Sequence, residues 1–339
     1  MNKRLREILT RLGSFALAGL LLWLALRNVE FSRVMEDLRS ANYWWLLPLT
    51  AVTLGAHWLR AWRWTFLLHA LPAEDSRKPV DVLGAFGALM MGYMANYVAP
   101  RVGELVRSAS VSRRYRTDFV PVFGTVITER ALDVVTLALA FATLPLVFAG
   151  RLGEIEELLW RPLADRIPEV SPLLVGLGSL VLVVGGVLAI SWLRRARDGR
   201  LAGMLSALRD GLMTVARTPR RAELLTSTVL MWLGYGLMAF IPFVMFGFHE
   251  TFGVDLVDAW GLMLLGAIGV LVPAPGGIGS YHYITIQSLV VLYAFPSDAA
   301  ASYAILTHTG QLLIYVVTGA VFVFGMGFHV AGPGDTHGR

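Results

Sequence analysis

Apolar residues gather into six long runs, at about 10–27, 43–69, 119–149, 171–193, 224–248 and 303–328. A helix rises 1.5 Å per residue and the bilayer hydrocarbon is about 30 Å thick, so each run predicts a membrane-spanning helix. Two further apolar stretches, 80–113 and 259–295, are broken in the middle. Pro100 to Gly103 interrupts the first; Pro273 to Gly279, reading PAPGGIG, interrupts the second. The roughly 14 residues on each side of a break reach only about 21 Å as helix, too short to cross comfortably. Each stretch therefore predicts a re-entrant hairpin, with Pro100, Gly103, Pro273, Pro275, Gly276, Gly277 and Gly279 as the breaking residues. The expected fold class is all-α: a polytopic membrane protein with about six spanning helices plus two re-entrant helical hairpins.

Composition agrees. Of 339 residues, 56% are hydrophobic and 16% charged, and the mean hydropathy is +0.61; no soluble globular domain is built this way. The net charge of +5 does not indicate nucleic acid, because the arginines cluster in short loops between apolar runs, where they report topology. The absence of cysteine removes disulfides, thiolate chemistry and zinc-thiolate sites. Lys3, Arg4 and Arg6 before an apolar run resemble a signal peptide, but Arg27 and Asn28 stand where small cleavage-site residues belong. A retained first helix is expected.

With the N-terminus cytoplasmic and both hairpins returning to their starting side, the inside segments carry 18 Lys and Arg and the outside segments 6, as the positive-inside rule requires. Eight arginines in the basic segment 194–223 decide most of this count. Three crossings then separate the hairpins, which makes them inverted relative to each other. Inverted repeats whose broken helices meet near the midplane are a recurrent transporter design, with the site at the repeat interface. One transmembrane domain over 1–339 follows, with hairpin repeats at about 80–149 and 256–328.

Charged residues inside the apolar segments are the candidate chemistry. Thr125, Glu129, Asp133 and Thr136 share one face of a helix, and Arg130 is close enough to pair with Asp133. At about mid-bilayer each isolated ion costs at least about 2.5 kcal/mol, so these groups pair with each other or with Arg101 and Glu104, or they face water. Two readings are open: a closed ion-pair network that locks the first hairpin, and a polar chamber that admits a charged group. Arg101 begins the half-helix after the first break, whose free N–H groups attract an anion; Glu104 as a cap for those groups is the alternative. Asn96, Glu104 and Arg107 complete the first group. In the second repeat, Tyr281, His282 and Tyr283 follow the glycines, and His308, Gln311, Tyr315 and Thr318 share a face of the last helix; the histidines are hydrogen-bonded packing elements or proton carriers. Trp44, Trp45, Trp58, Trp62 and Trp64 are expected as interfacial anchors, with Arg60 and Arg63 snorkelling to the cytoplasmic surface. There is no GxSxG, HExxH or P-loop, so no catalytic residue, metal or cofactor is expected.

The stretch Asn96-Tyr97-Val98-Ala99-Pro100-Arg101-Val102-Gly103-Glu104-Leu105-Val106-Arg107, then Phe123-Gly124-Thr125 with Thr128-Glu129-Arg130 and Asp133, then Pro275-Gly276-Gly277-Ile278-Gly279, resembles the flippase-like transmembrane family named after lysylphosphatidylglycerol synthase. The resemblance covers nearly the whole chain in order. It implies a lipid-translocating membrane protein related to the flippase half of the multiple-peptide-resistance proteins. The soluble aminoacyl-transferase domain of those proteins is not found before Arg339, so synthesis of lysyl lipid is not expected. The expected function is a flippase-like transporter of a phospholipid or other anionic lipid, including polyprenyl-phosphate lipids, in the bacterial cytoplasmic membrane, with both termini cytoplasmic. Its partners are membrane lipids, with a homo-oligomer or a membrane enzyme as further options. Two alternatives remain: a membrane-embedded transferase using Asp255 and Asp258 on a lipid-linked substrate, and a scaffold that binds a partner enzyme through 194–223.

Overall fold

The computed structural model describes residues 3–71, 79–98, 102–149, 220–271 and 274–325. The expected span 171–193, most of the basic segment 194–223, and Pro100, Arg101 and Pro273 lie outside these. Numbered over the described residues, the helices are α1 (Lys3–Leu26), α2 (Phe31–Ser40), α3 (Leu46–His69), α4 (Val82–Val98), α5 (Val102–Tyr115), α6 (Phe119–Phe141), α7 (Leu144–Val147), α8 (Arg221–Phe246), α9 (Phe248–Thr251), α10 (Leu256–Leu271), α11 (Ser280–Tyr293) and α12 (Ser297–Gly325). Short 3-10 turns at Tyr43–Trp45 and Pro275–Gly277 complete the described structure, which contains no strand.

Three described stretches, Phe119–Val147, Arg221–Phe246 and Ser297–Gly325, are long and apolar enough to cross a membrane, and the bent pair α1–α2 is a fourth candidate. Their outer faces expose Val134, Leu139, Leu233, Val317, Val321 and Phe324, surface that suits lipid and not water. The chain is an all-α polytopic membrane protein. The expected outer loop after the first run holds α2, turned 84° from α1. It lies across the start of α12, where Asp298 Oδ1 accepts from Glu30 N at 2.7 Å and Asp37 Oδ2 accepts from Ser302 Oγ at 2.7 Å.

The two broken stretches are two helix pairs, α4–α5 and α10–α11. Each pair is drawn together by a glycine beside its break: a Cβ on Gly92 would stand 2.8 Å from Gly103 O, and one on Gly269 would stand 2.9 Å from Ser280 O. Only glycine permits such backbone approach. At the base of the first pair Tyr115 Oη donates to Asp81 Oδ2 at 3.0 Å, and Asp81 Oδ1 caps Gly84 N at 2.6 Å. At the base of the second, Tyr293 Oη donates to Asp258 O at 3.2 Å. The first base adjoins the start of α6, and Trp260 of the second donates to Thr143 beyond its end at 2.9 Å, so the bases stand about 36 Å apart along one helix. The end of α4 meets the turn of the second pair: the Tyr97 ring lies against Gly276, whose φ is +58°. Helix α3 packs along α8, and α12 along α4.

Candidate functional site

Three arginines and two carboxylates interlock where α3, α5 and α6 converge. Arg60 Nε donates to Glu129 Oε1 at 2.7 Å and its Nη2 pairs with Asp133. Arg63 Nη2 donates to Asp133 Oδ1 at 2.5 Å and to Glu129 Oε1 at 3.3 Å. Arg107 Nη1 stands 2.7 Å from Glu129 Oε2, outside hydrogen-bond alignment, and its guanidinium lies 4.8 Å from the centre of the Trp64 ring. Arg63 and Glu129 are fully buried, and a charge enclosed this way persists only when paired. The network is built from Arg60 and Arg63 of α3 and Glu129 and Asp133 of α6, with Arg107 of α5 at its edge.

Beside the network lies a small crevice. Glu104, Arg107 and Arg130 line it with Gly92, Tyr93, Asn96 and Gly103, and the space it encloses is about 10 Å³, room for about one water. Arg130, 42% exposed, donates to Glu104 Oε1 at 2.8 Å and stands 3.9 Å from Asp133; its main partner is on α5 and not one turn along its own helix. Nor is Glu104 the cap of the first break. Asn96 Oδ1 accepts from Gly103 N at 2.8 Å, because the turn brings the end of α4 within reach of that amide while Glu104 is held by Arg130.

From Arg60 a file of rings leads to the second break. His57 Nε2 is 2.8 Å from Tyr315 Oη; Tyr315 stacks on Tyr93 at 4.9 Å and neighbours Tyr97 at 6.5 Å; Tyr97 meets His308 at 6.1 Å; His308 meets Tyr281 at 5.4 Å and His282 at 4.8 Å. His308 Nε2 lies 2.9 Å from Gly276 O, so it holds the turn that Tyr97 abuts. The structure thus brings Tyr281, His282 and His308 together. Gln311 lies one turn along α12 from His308 and is half-buried. No group of three or more metal-ligand side chains occurs among the described residues.

The family model described as the lysylphosphatidylglycerol synthase TM region matches residues 11–319. The chain belongs to that family. No curated protein and no solved structure matches it. Membership in the lysylphosphatidylglycerol synthase transmembrane family places the protein in a lipid-related role at a membrane.

For this family member, sequence reasoning found the acids and missed their partners. Arg60 and Arg63 do not snorkel to a surface and Trp64 is no interfacial anchor: all three are buried, because Glu129 and Asp133 face them and Trp64 Nε1 donates to Thr125 Oγ1 at 2.9 Å. Trp44 and Trp58 are exposed. A signal was available, since His57, Arg60 and Trp64 share a helical face and two embedded arginines require embedded acids. Asp255 and Asp258 are not free loop acids. Asp255 Oδ1 accepts from Val257 N and Asp258 N at 2.8 and 2.9 Å, and Asp258 Oδ2 accepts from Asp255 N at 3.1 Å, a reciprocal cap on α10.

Proposed function

We propose that the protein is a flippase-like transporter that carries the head group of an anionic lipid between the leaflets of a bacterial cytoplasmic membrane, with both termini cytoplasmic and no covalent chemistry of its own. The observation that carries this reading is a charge imbalance. Arg60, Arg63, Arg107 and Arg130 face Glu104, Glu129 and Asp133, one positive charge in excess among the described residues. That excess is embedded beside two broken helix pairs, and an anion entering the crevice would neutralise it. In this reading the pairs are re-entrant hairpins of an inverted repeat, and the lipid tails stay outside while the head group passes the tips. The mutual capping of Asp255 and Asp258 speaks against the transferase, which would need them free.

The test is head-group accessibility of fluorescent phospholipids in proteoliposomes, comparing the wild type with Arg107→Gln and Arg101→Ala. Transfer by the wild type that falls at least about tenfold in Arg107→Gln, for a lost charge-assisted contact of about 1.5–3 kcal/mol, is expected. Wild-type protein that moves neither anionic phospholipids nor polyprenyl-phosphate lipids would overturn the reading, as would an Arg107→Gln variant that moves them equally fast.

A further inference from the structure

We infer that α2 is an interfacial helix, lying along one surface of the membrane with Phe31 and Met35 sunk into lipid at the head-group boundary. Its level in the fold, its half-covered apolar face and its charge balance carry this.

Four of the described long helices have an end at the level of α2. α1 finishes at Leu26, just before it, and α3 begins at Leu46, just after it. The first turns of α12 are tied to it, since Asp298 Oδ1 accepts from Glu30 N and Asp37 Oδ2 from Ser302 Oγ, and Asn42 N donates to Met245 O in the last turn of α8 at 2.8 Å. Spanning helices end where hydrocarbon gives way to head groups, and here α2 turns 84° from α1. It does not continue the span. Arg33, Glu36, Asp37 and Arg39 put four charges into its ten residues, too many for the hydrocarbon. Tyr43, Trp44 and Trp45, which follow it, are exposed and form an aromatic group of the kind that settles at membrane–water boundaries.

At about 100° per residue, Val34, Leu38, Phe31 and Met35 occupy one arc of roughly 100° and the six polar residues fill the rest. Half of that arc is covered by protein: Val34 and Leu38 join a cluster with Phe295, Ala299 and Tyr303. Phe31 and Met35 leave the other half open, 57% and 51% exposed. An open apolar stripe on a helix at a membrane surface is buried among the acyl chains. A second copy of the chain would need about 800 Å² on each partner, whereas two half-exposed side chains offer on the order of 200 Å². Lipid sets no such threshold. The two arginines and two acids of α2 balance, and Arg33 is held by Glu30 at 2.9 Å and Asp298 at 3.7 Å. With no excess of cations, apolar burial and not attraction to anionic lipid holds the helix to the surface.

The test exploits the absence of cysteine. Spin labels are placed one at a time through Phe31→Cys, Met35→Cys, Glu36→Cys and Ser40→Cys in the full chain in proteoliposomes, and collisions with oxygen, which concentrates in lipid, are compared with collisions with a water-soluble nickel chelate. All four side chains are exposed, so the labels leave the packing intact. Oxygen should prevail at the first two sites and nickel at the last two, equally in zwitterionic and in anionic vesicles. Nickel prevailing at all four would put α2 in water; oxygen prevailing at all four would put it inside a span. A label at Phe31 and Met35 that neither reagent reaches would mean that protein covers them, a second copy or another segment. Each of these results overturns the inference, as does a pattern seen only in anionic vesicles. Head-group transfer plays no part in the readout, so the result is independent of the transport reading.

Discussion

Replacing Glu129 by Gln should expose how the network is balanced. Glu129 contacts Arg60, Arg63 and Arg107 at 2.7, 3.3 and 2.7 Å. With charge centres about 4 Å apart and an effective dielectric of about 20, each contact contributes about 4 kcal/mol of gross attraction. Desolvation offsets much of that sum, and removing one partner of a buried ion pair costs about 3–5 kcal/mol net. Glu129→Gln leaves four guanidiniums facing two carboxylates and should cost that amount. Arg107→Gln brings the same network to three against three, so it should cost only about 1–2 kcal/mol, chiefly the stacking on Trp64. In the double variant the group that depended most on Glu129 is gone, and its cost should fall short of the sum of the single costs by about 2 kcal/mol. Denaturant unfolding in detergent, followed through the ten tryptophans, measures all three. Costs that add within about 0.5 kcal/mol would refute the claim that Arg107 relies on Glu129.

Gly103→Ala should destabilise the protein by about 2 kcal/mol or more, because the new Cβ would meet Gly92 O and the Asn96 side chain, whereas Gly124→Ala, which meets nothing within 4 Å, should be neutral or stabilise by up to about 1 kcal/mol through helix propensity; the same unfolding titration compares them. Gly276→Ala should cost stability twice over, by strain at φ +58° and by collision with the Tyr97 ring, and adding Tyr97→Ala should return only the second part; full rescue would mean that the backbone is not strained. Asp255→Ala should cost about 0.5–2 kcal/mol as a lost helix cap and leave lipid transfer per folded molecule unchanged. Loss of activity at constant fold would restore Asp255 and Asp258 as chemical groups.

The helix pairs were legible because proline and glycine inside an apolar run have few other uses. The breaks after Val98 and Leu271 divide α4 from α5 and α10 from α11 where the composition says. The acids were legible too, since Glu129 and Asp133 share a helical face. Their partners were not. Arginines near the end of an apolar run look the same to hydropathy whether they reach for a surface or turn inward, and a separation of 66 positions between Arg63 and Glu129 leaves no local signal of the pairing. The same holds for the rings: Tyr93 and Tyr315 stack only because Gly319 lets α12 close on Met90 and Met94 of α4, a tertiary contact that no periodicity records.

Helix α3 has a consequence for how this protein is made. Two arginines sit in its second half, and inserted alone they would cost about 5–7 kcal/mol in the membrane. The carboxylates that neutralise them lie on α6, which leaves the ribosome after them. Until α6 arrives, α3 is a poor candidate for the lipid phase and has reason to stay beside the insertion machinery. Lateral release of α3 should therefore wait for the synthesis of α6, so that the ion pairs order assembly in time.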